Sequence, residues 1–211
     1  MISIILVLIL AIASGFLINS LTILAVSGII AALSFKFNNL FNKAYIFYII
    51  GVLISAVSLY FHEIKYFDLV TRGLVGYGFL LLVMFAGVLP NKWTISKKLK
   101  VNRGVFSILA FIMISPHALG HIFEILGGVN VFGIVAYAVM VPLTLISFKV
   151  VRKEIKPKEW RDIQKAAYVV YIVLFAHLIY VSSWENKIVY AVITVLYLNN
   201  KILKEIKKWV Y

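Results

Sequence analysis

Three of the four histidines in this 211-residue chain, His117, His121 and His177, lie inside runs of almost uninterrupted apolar residues. An ionisable ring carried into such a run costs free energy and is normally turned toward a bundle interior, a cavity or a metal. Two imidazoles on neighbouring helices are what an iron porphyrin needs to be gripped from both faces. Zinc or non-haem iron is served less well. The chain has no cysteine, and Glu124, near the end of its run, is the only acidic candidate. The plainer alternative is a set of neutral histidines bonded to backbone carbonyls or water between helices. His62 sits with Glu63, Lys65 and Asp68 and reads as a solvated loop residue.

The elements that must position these rings follow from composition. Apolar residues make up 63% of the chain and the mean hydropathy is +1.01, so the sequence predicts an integral membrane protein. Apolar runs cover 2–18, 20–35, 44–61, 69–89, 104–123, 129–148, 166–183 and 188–203. Residues 1–35 are too long for one span, at ~52 Å against a ~30 Å hydrocarbon core. Asn19-Ser20 offers a turn that divides them into a hairpin. A cleaved signal peptide ending near Ala11-Ile12-Ala13 is the competing reading, but no basic residue precedes the run and a second run follows at once. The expectation is therefore a retained hairpin over 1–43 and a six-helix core over 44–211. Together they make an all-α, polytopic transmembrane bundle of about eight helices. Breaks are expected at Pro90-Asn91, Gly127-Gly128 and Pro157, with Pro116 and Pro142 kinking helices. Gly73, Gly76 and Gly78 read as small residues for close helix packing.

The net charge of +13 is topogenic. If each run crosses once, all of the 21 cationic residues except Lys65, Arg72 and Lys187 fall on one side, which marks that side as cytoplasmic. Both termini then lie in the cytoplasm of a multi-pass cell-membrane protein, and nucleic acid is excluded as the reason for the basicity. On this topology His117, 14 residues after Arg103, lies ~21 Å along its helix, and His177, 16 residues after Arg161, lies ~24 Å along a parallel one. Two axial ligands of one iron must share a depth, and these do. His121 is one turn beyond His117 on a similar face, as an alternative ligand, a propionate contact or an interfacial residue. Arg72 is either an interfacial arginine or a partner for a haem propionate. Tyr168, Tyr171, Phe175 and Tyr180 surround His177 in sequence and suit either packing or a pocket.

The stretch Lys158-Glu159-Trp160-Arg161-Asp162-Ile163-Gln164-Lys165-Ala166-Ala167-Tyr168, followed by His177, resembles ferric-reductase-like transmembrane domains. It is most similar to the haem-binding membrane subunits of periplasmic methionine sulfoxide reductase systems. Trp160, Tyr168 and His177 fall on that family's pattern. Thr71-Arg72-Gly73, Phe79-Leu80-Leu81 ending at Pro90, and Arg103-Gly104 followed by His117 are similar to its core helices. The resemblance covers about residues 44–203. Gln164 stands where the family carries its inner histidine, and glutamine is a poor haem ligand. The resemblance therefore implies a single outer haem b on His117 and His177. Its electrons would come from quinol in the bilayer, or from a flavoprotein or haem held elsewhere. They would pass to an outer-face acceptor such as ferric iron or a partner oxidoreductase. The reading from another class is a cofactor-free membrane scaffold or small transporter whose histidines pack or relay protons. An enzyme acting on lipid has no nucleophile–base spacing to support it.

Overall fold

The computed structural model describes residues 19–36, 43–121 and 131–210, and every regular element among them is helical. The helices are α1 (Asn19–Lys36), α2 (Ala44–Tyr60), α3 (Lys65–Thr71), α4 (Leu74–Val88) and α5 (Thr94–Gly120). They continue as α6 (Val131–Leu145), α7 (Lys149–Glu154), α8 (Pro157–Gln164), α9 (Ala167–Val181) and α10 (Trp184–Val210). The expected first arm of the hairpin, the Gly127-Gly128 break and Glu124 lie outside the described residues.

Two stretches, Thr94–Gly120 and Pro157–Val181, are long and apolar enough to cross a membrane. Four shorter helices are equally apolar in character, among them Ala44–Tyr60 and Leu74–Val88. α2 shows why burial alone does not explain these sequences. It buries Ala44, Gly51, Ser55 and Ser58, and exposes Ile49, Ile50, Val52, Leu53 and Val57. Small and hydroxyl-bearing residues face inward and bulky aliphatics outward, the pattern of a helix whose surroundings are as apolar as its side chains. Ser55 Oγ donates across the interface to the Ile112 carbonyl at 3.0 Å.

α4 is the central element. It buries eleven of its fifteen residues and packs most extensively on α5, with α1 and α10 on its other sides. Gly76 and Gly78 permit this, as the sequence suggests. A Cβ on Gly76 would stand 2.7 Å from the Ile114 backbone nitrogen, and one on Gly78 2.7 Å from Val26 Cγ1. α1 joins the same core through Ile23, and Ser27 Oγ donates to the Gly78 carbonyl at 3.0 Å. α6 packs on α9 and, less closely, on α5.

Three differences from the expected runs have physical causes. The run 69–89 is not one helix, because Gly73 adopts the left-handed conformation (φ 74°) and separates α3 from α4. Arg72 accordingly closes α3 rather than opening the next helix. α5 begins at Thr94 instead of residue 104, since Ser96, Leu99, Asn102 and Phe106 form a buried stripe at helical spacing and none of the lysines there is buried. Pro157 starts α8 at its first helical position, where its missing N–H is not needed. Pro116 and Pro142 do lie inside helices, in α5 and α6.

Candidate functional site

α5 and α9 are not among the closely packed helix pairs, yet side chains bridge them near the ends of both. The ring centres of His117 and His177 are 6.2 Å apart, with planes inclined at 66°. His121, which caps α5, lies 4.8 Å from the His117 ring. The three apolar-run histidines therefore form one cluster, as depth-counting along the helices leads one to expect for the first pair. His62 is exposed.

His117 is held by groups that spacing did not reveal. Its Nδ1 lies 3.1 Å from the Thr71 carbonyl oxygen, and since a carbonyl can only accept, Nδ1 must carry the proton. In the neutral ring the lone pair then sits on Nε2. Donation of the second ring nitrogen to a backbone carbonyl is the usual way a ligating imidazole is oriented. The Tyr77 ring packs edge-on at 6.2 Å, and a Cβ on Gly73 would stand 3.3 Å from His117 Cβ and Cγ. Glycine is therefore needed at residue 73 twice, for its backbone angle and for the ring beside it. Gly73→Ala is expected to cost about 1 kcal/mol from the left-handed conformation alone. Gly73→Asn should recover part of that loss, because asparagine tolerates such angles. Thermal unfolding of the two variants in detergent checks this.

His177 is 7% exposed, and its Nδ1 has no hydrogen-bond partner. A buried, unsatisfied ring nitrogen is costly unless something else meets it. Two histidines brought to 6.2 Å from separate helices, one of them with an unmet ring nitrogen, are residue types that could hold an iron porphyrin between them. Among the described residues no group of three or more His, Cys, Asp or Glu side chains is arranged to hold a metal ion. An axial pair needs only two nitrogens, because a porphyrin supplies the rest.

Other candidates are placed differently. The Arg72 guanidinium pairs with Asp68 at 2.7 Å and donates to Asn19 Oδ1 at 2.9 Å, fastening α3 to the start of α1. Its neighbours Thr71 and Gly73 touch His117. Tyr171 and Phe175 pack with Tyr197 of α10, Tyr168 stacks edge-on with Tyr171, and Tyr180 meets Phe132. Trp160, the most distinctive residue of the 158–168 stretch, donates to the Ile146 carbonyl at 3.2 Å while Arg152 lies over its ring at 4.2 Å. It anchors α7 and α8 beneath the end of α6. Gln164 faces a separate cavity with Tyr171, away from the histidines. No family model, curated protein or solved structure matches the chain.

Proposed function

We propose that the chain is a multi-pass membrane protein of about eight spans, with both termini cytoplasmic, that holds one haem b between α5 and α9. It would pass electrons to an acceptor on the outer face, such as ferric iron or a partner oxidoreductase of the ferric-reductase-like kind. The observation that carries this reading is the 6.2 Å separation of the His117 and His177 rings across two helices not otherwise closely packed. The apolar outer surface of α2 and the one-sided distribution of lysine and arginine support the spans.

In this reading His117 and His177 would hold the haem iron, and the bound group would supply one-electron chemistry. The Thr71 carbonyl fixes the His117 tautomer and ring direction. Tyr77, Leu74 and Leu178, all buried, keep water from this region. His121, exposed at the helix end, is the residue nearest solvent and is suited to an edge or propionate contact. Arg72, one residue from both Thr71 and Gly73, would have to leave its pairing with Asp68 to meet a propionate.

A second reading draws on the cavity lined by Gln164 and Tyr171, which none of the three histidines lines. In that reading the three rings pack, or hand a proton along, in a bundle without a cofactor. A visible absorption spectrum of membrane-extracted protein separates the two. The haem reading requires a Soret band that shifts on dithionite reduction. A colourless protein that stays colourless after incubation with haem leaves the second.

A further inference from the structure

The cavity at the far end of α9 from His177 has a volume of about 40 Å³, room for about three water molecules. Its walls are apolar side chains of α4, α6 and α9, into which five polar residues intrude: Ser107, Thr144, Ser147, Gln164 and Tyr171. No carboxylate lines it. Ser107 and Ser147 already donate their protons, to the Gly104 carbonyl at 2.9 Å and the Leu143 carbonyl at 2.7 Å. Gln164 Nε2 and the Tyr171 hydroxyl, by contrast, are buried without a well-formed hydrogen bond. Tyr171 is only 4% exposed, so its hydroxyl cannot turn to bulk solvent. The Arg103 guanidinium, one turn before Ser107 on α5, is close enough to act on that hydroxyl.

An amide N–H and a phenolic O–H without a well-formed acceptor, beside a guanidinium and with no carboxylate in the lining, leave two unmet donors in one cavity. Each such donor left unmet costs free energy, and an ionised acceptor satisfies it best. We propose that this cavity binds a compact monovalent anion, of halide or formate size, held by Gln164 Nε2 and the Tyr171 hydroxyl. The site is independent of the histidine cluster and of whatever that cluster holds.

The test is a bromide titration of the full-length protein in detergent at constant ionic strength, with gluconate as the balancing anion. Bromide should raise the unfolding temperature saturably and broaden the bromine NMR line, and formate should compete. Gluconate is too large to enter and should do neither. Tyr171→Phe keeps the ring and removes one donor, and Gln164→Met keeps the length and removes the other. Each should weaken bromide about tenfold or more, the weight of one hydrogen bond to a charge. If bromide and gluconate act alike, or if both variants respond as the parent does, the cavity holds only water and the proposal is overturned.

Discussion

Replacing His177 with alanine should strip haem from the membrane-extracted protein, lowering haem per chain more than about tenfold, the loss that removing a primary ligand exceeds even where an outer-shell partner costs 10–100-fold. α9 has no second imidazole to stand in, since besides His177 Ala167–Val181 holds only tyrosines and apolar residues. His117→Ala should do the same from the opposite side, with one informative exception. His121 is 4.8 Å from the His117 ring, and a residual, shifted Soret band in His117→Ala that vanishes in the His117→Ala/His121→Ala double variant would assign the rescue to it. Circular dichroism and gel filtration establish that each variant is folded before its spectrum is read. Full haem occupancy in both single variants would end the ligand assignment, and a parent without haem would end the reading itself.

This expectation rests on a measurement the sequence permits. Rise per residue in a helix is constant, so counting from Arg103 and Arg161 gives depth, and His117 and His177 do meet. Depth carries no azimuth, which is why Tyr77 and the Thr71 carbonyl beside His117 went unseen. Tyr77 lies between two glycines that bring α4 close to its neighbours, and a polar-tipped ring at such a place was the available signal. The Gly73 break was invisible for another reason: a left-handed residue leaves no trace in hydropathy, and the run on both sides is equally apolar. Charge misled at the start of α5, where five cations in 92–103 suggested a connection. Ser96, Leu99, Asn102 and Phe106 continue the buried stripe of the helix through that stretch. The cavity at Gln164 depends on five helices converging, and no local pattern encodes that.

Gly76→Ala is expected to destabilise the protein by about 3 kcal/mol, the upper part of the range for overpacking, and to disturb the histidine pair as well. The added methyl would crowd the Ile114 side chain and stand 2.7 Å from the Ile114 nitrogen and 3.0 Å from the Ala110 oxygen. A side chain can rotate away, but backbone atoms of α5 cannot yield unless the helix itself moves. Ile114 is three residues before His117, so that movement would be passed to the ring and to its separation from His177. Gly78→Ala meets mainly the Val26 side chain and should cost less. Gly87→Ala meets nothing within 4 Å, and on helix propensity it should be neutral or stabilising by up to about 1 kcal/mol. The three variants lie on one helix with the same chemical change, so unfolding temperatures rank them by α4 surroundings alone. Equal stability of Gly76→Ala and Gly87→Ala would mean that α4 and α5 do not pack at backbone distance. The same result would remove the framework that holds His117 opposite His177.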